Sequence, residues 1–266
     1  MKLYYKHHGK SFQDDWERVS RLYSASMLST TFEAPKPVSL QAEKQTIVYE
    51  HLPEGQLLAY YFFRVLIQPW RTSAFNDLEK VFYKIGCSLA QFHRYYESPY
   101  SKTVRLDFSA IDGLSGSIIN QIEKVLDNAP IVGFHGDFGT GNVWLRGSDC
   151  MPIILDPIPS LFCPDSHGGK SSIYYDVGHM VSVLSCVYPL WVVPFIKWNR
   201  INLAISMFIH GYEEESKLVL DRSALYGVAL WLTDAYLKSM RQSIRNNIRS
   251  RFIVSRRGYL IEEILS

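Results

Sequence analysis

Cysteine is scarce in this chain and scattered. Cys87, Cys150, Cys163 and Cys186 form no C-x-x-C pair and no Cys/His metal spacing, so they read as buried or idle thiols in a reducing compartment rather than as ligands or a redox pair. Charge of one sign is missing too. Lys and Arg number 28 against 26 Asp and Glu, a formal net charge of +2, too small for bulk attraction to nucleic acid or a membrane surface. No long hydrophobic run is present. The opening MKLYYKHHGK lacks the apolar centre of a signal peptide, and the most apolar stretch, Met180 to Trp198, is broken by Pro189 and Pro194. Internal repeats and low-complexity tracts are absent as well. These absences lead us to expect a cytoplasmic globular protein with no membrane span.

What is present is apolar material. Of the 266 residues, 47% are hydrophobic and 14% aromatic, enough for one large domain or two closely packed lobes. LYYKHH near the start reads as a strand. Ser11 with Asp14 three residues on resembles a capping box, opening a helix to about Leu28 with Trp16, Val19, Leu22 and Tyr23 as its buried stripe. EAPKPVS is rich in breakers. Gln45 to Glu50 reads as a second strand, and HLPEG supplies Pro and Gly for a connection. That connection predicts a small first lobe over 1–52 and a larger second one over 53–266.

Helical spacing follows over Ala59 to Pro69, Leu78 to Tyr96 and Ser115 to Leu126, with Val81, Ile85, Leu89 and Phe92 on one face of the second. The middle then changes texture. IVGF, NVWL and PIIL are short apolar runs separated by HGDFGTG and RGSDCM, predicting a strand, a loop and a hairpin. Beyond Tyr175 the chain reads as mostly helical.

The chemistry lies in that loop. His135, Asp137 and Asn142 meet the pattern His-x-Asp-x-x-x-x-Asn, the spacing that the protein-kinase catalytic loop uses for its base and a magnesium ligand. A chance match in a chain of this length is on the order of a few per cent. Asn142 opens one predicted strand and Asp156 closes its hairpin partner, so the turn between them returns both oxygen ligands to Asp137. Phosphoryl transfer needs an aimed nucleophile, a fixed triphosphate and neutralised charge rather than covalent help. Asp137 suits the role of base or orienter, with Asn142 and Asp156 holding magnesium. The bland alternative makes all of them ordinary turn residues in a glycine-rich loop.

At these residues the sequence resembles the aminoglycoside phosphotransferase family, within the kinase-like group that includes choline and fructosamine kinases. IGCSLAQFH, from Ile85 to His93, resembles the family's helix before the catalytic segment. YYDVGHM places Asp176 where the family has a later Asp that braces the catalytic loop beside His135. The resemblance implies a two-lobed α+β kinase-like fold, ATP as phosphate donor and Mg2+ as the ion. It further implies that VYEHLPEG is the hinge, where the backbone near Glu50, His51 and Leu52 meets the adenine edge. Lys6 and Glu17 resemble the ion pair that positions the nucleotide phosphates, with Lys2 a rival for the lysine.

Families of this fold place two strands and a nucleotide-covering glycine-rich loop ahead of the lysine strand, whereas Lys6 comes almost at the start. A reduced N-terminal lobe is therefore expected. HHGKS does not replace that loop, because no glycine stands at the upstream P-loop position.

Near the end Arg241, Arg245 and Arg249 share one helical face at i, i+4 spacing. Such a stripe suits a phosphate- or carboxylate-bearing acceptor, although a solvated helix face is the commoner use of it. The expected activity is transfer from ATP to a hydroxyl of a small molecule, such as a sugar, an aminoglycoside-like compound or an amino alcohol. Two alternatives stay open: an inactive pseudokinase that binds nucleotide or a partner, and a protein kinase that docks acidic polypeptides on its basic helix.

Overall fold

The computed structural model describes residues 3–7, 12–67, 72–108, 111–147, 149–157, 169–186, 188–189, 194, 196–244, 253–254 and 256–266. The chain opens with strand β1 (Leu3–His7), helix α1 (Phe12–Ser26) and strands β2 (Pro37–Gln41) and β3 (Thr46–Glu50). These strands form an antiparallel sheet in the order β1-β3-β2. The breaker-rich segment thus yields a strand that its prolines concealed. β2 tolerates Pro37 because it lies at the sheet edge with the proline as its first residue, and the register shifts between Pro37 and Ser39.

Strand alternation decides which side of this sheet is covered. Tyr4 pairs with Tyr49 and Lys6 with Ile47, so these four side chains share a face. α1 covers it, and Val19, Ile47 and Tyr49 form a small core with Trp16 and Leu40 packed against them. Val19 and Leu22 are buried as the spacing predicts, while Tyr23 is half-buried and the polar Asp15 and Arg18 are buried instead. Further along α1, Leu22 and Ala25 belong to the main core, so the helix serves both layers.

A short strand β4 (Gly55–Leu57) leads into helices α2 (Leu58–Ile67), α3 (Thr72–Tyr95) and α4 (Gly116–Asp127). Strand β5 (Ile131–Gly133), the hairpin β6 (Val143–Arg146) and β7 (Pro152–Ile154), and strand β8 (Lys170–Ser172) come next. The remainder is helical, with α5 (Tyr174–Cys186), α6 (Trp198–Ser216), α7 (Arg222–Ile244) and α8 (Arg257–Leu265), plus the small strands β9 (Tyr188–Pro189) and β10 (Ile253–Val254). β4, β6 and β7 form one antiparallel sheet, and β5 pairs with β8. Among the described residues no helix is long and apolar enough to cross a membrane.

The predicted stripe of α3 is fully realised: Val81, Ile85, Leu89 and Phe92 are all buried. Another side of α3, carrying Tyr83, Gly86 and Cys87, meets α6 at a close crossing. A Cβ on Gly86 would lie 2.1 Å from the Phe208 carbonyl oxygen, and one on Gly211 would lie 2.1 Å from that of Tyr83. Only two glycines let the backbones approach this far, and neither obstacle is a flexible side chain. Gly86→Ala is expected to lower the unfolding free energy by about 3 kcal/mol, readable in a urea titration. A loss below about 0.5 kcal/mol would contradict the close packing of these helices.

The small sheet is stitched to the hairpin. Glu33 exchanges backbone hydrogen bonds with the β7 region, its N–H reaching the Pro152 carbonyl at 3.0 Å and its own carbonyl accepting from Ile154 at 2.9 Å. Its carboxylate also takes a hydrogen bond from Arg146 at 2.5 Å. After β3 the chain is tied to the same hairpin through Gly147 N–H to the Glu54 carbonyl at 2.7 Å and the Trp144 indole N–H to the Pro53 carbonyl at 3.2 Å. A cleft therefore opens between the α1-covered sheet face and the hairpin.

Candidate active site

The loop after β5 is held from beneath by α5. Asp176, in the first turn of that helix and fully buried, accepts the His135 N–H at 2.6 Å and the Gly136 N–H at 2.9 Å. It also faces His93 Nε2 at 3.1 Å, while His93 Nδ1 meets the Tyr212 hydroxyl at 2.8 Å. Burial works to raise the Asp176 carboxyl, but the His93 hydrogen bond, the neighbouring imidazoles and the His135 N–H outweigh it and hold it below its ordinary value. Gly136 sits at φ +85°, in the left-handed region that glycine enters without steric cost. The loop can therefore turn both amides onto one carboxylate.

His135 is also fully buried, and its two ring nitrogens are both used. Nε2 donates to the Leu155 carbonyl at 2.7 Å, and Nδ1 accepts the Asp137 N–H at 3.3 Å. That pattern is the neutral ring, in keeping with burial that pushes its pKa down. The imidazole consequently ties the loop to the end of the hairpin next to Asp156.

Asp137 and Asn142 are brought together. The Asn142 amide donates to both the Asp137 backbone carbonyl and its Oδ2, each at 2.8 Å. Asp156 follows directly after Leu155, whose N–H bonds the Asn142 carbonyl at 2.9 Å. Register between β6 and β7, with Val143 opposite Ile154, thus sets Asn142 opposite Leu155, with Asp156 one residue further along at the same end of the hairpin. Asp156 has φ +43°, a left-handed backbone that turns its carboxylate out of the strand line and into the cleft.

Across the cleft, Lys6 of β1 donates to the Asp156 carboxylate. This corrects the expected pairing of Lys6 with Glu17. Glu17 lies on the outer side of α1 and bonds Arg21 one turn away at 3.2 Å. Helix periodicity explains the difference: Asp15 and Val19 lie on the buried side of α1, and position 17, half a turn from either, points outward.

The cleft encloses about 480 Å³, and its walls include Tyr4, Lys6, Val19, Tyr49, Trp144 and Asp156. Glu50, His51 and Leu52, expected as the hinge, also line it. The Glu50 N–H is bonded to the Lys36 carbonyl, and its side chain to the Lys36 ammonium, each at 3.0 Å. His51 Nδ1 contacts the Leu52 carbonyl at 2.7 Å. Burial, together with the Asp156 and Asp15 carboxylates, pushes the Tyr49 phenol up, so that ring presents a neutral surface to the cleft.

Of the arginine stripe, Arg241 falls on α7, while Arg245 and Arg249 lie outside the described residues, as does Lys2. Two neighbouring arginines are absorbed by packing. Arg257 binds Asp234 at 2.9 Å, and the Arg256 guanidinium lies over the Tyr259 ring at 3.9 Å and the Trp198 ring at 4.7 Å.

The sequence motifs did not single out His179. α5 places it one turn after Asp176, with Nε2 3.3 Å from Asp137 Oδ1. Its i+3 spacing from Asp176 was the available signal, since that spacing puts both residues on one helix face.

Solved structures share this fold. An aminoglycoside-3'-phosphotransferase of type VIII aligns over 88% of this chain and 84% of its own, with a TM-score of 0.53 and 13% identity. The fold is that of the kinase-like phosphotransferases. A choline/ethanolamine kinase family protein from Mesorhizobium loti shares the kinase-like fold over 100% of this chain and 81% of its own, at a TM-score of 0.54 and 10% identity. A glucosamine kinase, solved with glucosamine, ADP and inorganic phosphate, aligns over 94% of this chain and 66% of its own, at 0.52 and 13%. No family model and no curated protein matches the sequence. The kinase-like fold is therefore recognised through backbone geometry.

Proposed function

We propose that this chain is an ATP-dependent phosphotransferase acting on a hydroxyl of a small molecule. The observation that carries the reading is the Asp137–Asn142 pair at the start of a hairpin whose far strand ends in Asp156, on the wall of a cleft of about 480 Å³ that Lys6 reaches from the opposite side. Three structural neighbours support the acceptor class, as their names specify an aminoglycoside, choline or ethanolamine, and glucosamine; the last holds ADP.

In this reading the nucleotide base lies against the hinge at Glu50, His51 and Leu52, and the phosphates run toward Lys6. Asp137, whose side chain is 47% exposed, can be reached by an acceptor while its oxygens stay oriented. Its carboxylate accepts the hydroxyl proton as the acceptor oxygen bonds the γ-phosphorus and ADP leaves with the electrons of the broken P–O bond.

The residues present fit magnesium. Asn142 turns its Nδ2 to Asp137, leaving Oδ1 as a hard ligand atom, and Asp156, at the same end of the hairpin, would supply a carboxylate. Among the described residues no cluster of three or more His, Cys, Asp or Glu could cage an ion, and magnesium sites usually rely on one or two protein oxygens plus phosphate and water. When bound, the ion would neutralise charge on the transferring phosphates.

Transfer of labelled γ-phosphate from ATP to fractionated cell metabolites tests the reading. Label in a small-molecule fraction supports it, and label entering only protein favours the protein-kinase alternative. Absence of both nucleotide binding and transfer with magnesium or manganese rejects it. Lys6→Met is expected to raise KM for ATP about tenfold, because it removes one charged phosphate contact. Steady-state kinetics over a range of ATP concentrations reads this directly.

A further inference from the structure

Asp137 has a second contact that the transfer reading above does not use. His179 Nε2 lies 3.3 Å from its Oδ1, and the imidazole is 6% exposed where the carboxylate is 47% exposed. The other oxygen, Oδ2, is already bound by Asn142 at 2.8 Å. Each carboxylate oxygen therefore faces one nitrogen donor, from two different directions.

Three further details fit this placement. α5 is anchored to the loop through Asp176, which accepts the His135 and Gly136 amides, so His179 one turn further is set by the same attachment. Gly139 leaves room for the ring, since a Cβ there would stand 3.4 Å from His179 Cε1, 3.6 Å from Nδ1 and 3.2 Å from Val183 Cγ2. Finally, His179 Nδ1 is buried without a hydrogen-bond partner among the described residues. An ionised carboxylate only accepts, so the hydrogen of the pair belongs on Nε2, and the neutral ring leaves Nδ1 as a bare lone pair.

We propose that His179 is a positioning residue for Asp137, clamping Oδ1 through Nε2–H while Asn142 clamps Oδ2. The inference rests on the phosphoryl-transfer reading for its purpose, though not for the contact itself. Two donors fix the plane of the carboxylate, and a lone pair remains for the acceptor hydroxyl. During transfer that hydroxyl proton passes to Asp137, the acceptor oxygen joins the γ-phosphorus and ADP departs. His179 donates throughout and neither gains nor loses a proton. Orientation of this kind acts on the chemical step more than on nucleotide binding.

Two variants and one spectroscopic comparison test it. Magnesium-dependent ATP hydrolysis, with water as acceptor, serves as the activity. His179→Phe keeps the ring volume and removes the donor, and kcat should fall about 10- to 100-fold with KM for ATP within about twofold. His179→Gln restores a nitrogen donor near the Nε2 position and should recover most of that loss. In the full chain with nitrogen-15-labelled histidine, long-range nitrogen–proton spectra should show His179 as the Nε2–H tautomer, and Asp137→Ala should move its ring signals.

Unmoved His179 signals in Asp137→Ala overturn the proposal, as does a His179→Phe protein with wild-type kcat. Equal loss in the Phe and Gln variants with matching drops in melting temperature overturns it in favour of plain packing. If the wild-type protein hydrolyses and transfers nothing, the transfer reading fails and takes the catalytic purpose with it, while the spectra still decide whether His179 holds Asp137.

Discussion

Asp137→Ala lowers phosphoryl transfer by about 10²- to 10⁴-fold, the range associated with losing a positioned general base, and leaves the fold intact. The geometry separates the two effects. Half of the Asp137 side chain is open to solvent, so truncation creates no cavity. The loop keeps its own attachments, because Asp176 holds the His135 and Gly136 amides and the Asn142 amide still donates to the Asp137 backbone carbonyl. The substitution leaves Lys6 and Asp156, which line the cleft, in place, so nucleotide affinity should change by less than about threefold. Calorimetric titration with ATP and magnesium, run beside the transfer assay, checks both halves. An unchanged rate would remove Asp137 from the chemistry, and lost binding would show that the cleft depends on it.

Asp176→Ala should have the opposite profile and destabilise the whole protein by about 3–5 kcal/mol, the cost of removing one partner from a buried charged network. Its carboxylate accepts two backbone N–H groups and faces His93. All of these would be left buried without an acceptor. Burial of the site is complete, at 0% exposure, so water cannot readily replace the lost oxygens. Turnover would fall with the fold, because the same carboxylate orients the loop that carries Asp137. Urea unfolding followed by circular dichroism measures the loss, and a change below about 1 kcal/mol would mean that the network is not the loop's foundation.

How much of this could be read from the chain alone depended on range. The loop from His135 to Asn142 and the return to Asp156 were legible because a short hairpin fixes them, so sequence spacing translates directly into distance. The α3 stripe was legible for a similar reason, since one face of a helix is written every three or four residues. β2 was hidden by Pro37, because a proline is admissible in a strand only at an edge, and edge position is a property of the sheet. Lys6 was assigned to Glu17, its neighbour along the chain, whereas its partner Asp156 lies 150 residues away. His179 carried one local signal, its i+3 spacing from Asp176, and that spacing has no meaning by itself. Its meaning comes from Asp176, whose role is visible only once α5 is docked beneath the loop.

The contact between Lys6 and Asp156 couples the loading of nucleotide and ion. On the transfer reading, a divalent ion reaching Asp156 competes with an ammonium already seated there, and a triphosphate gives that ammonium somewhere else to go. Nucleotide and ion each lower the cost of admitting the other, and thermodynamic reciprocity makes the factor identical in both directions. On that reading the cleft acts as a coincidence detector: it favours the charged complex as a unit over either component alone.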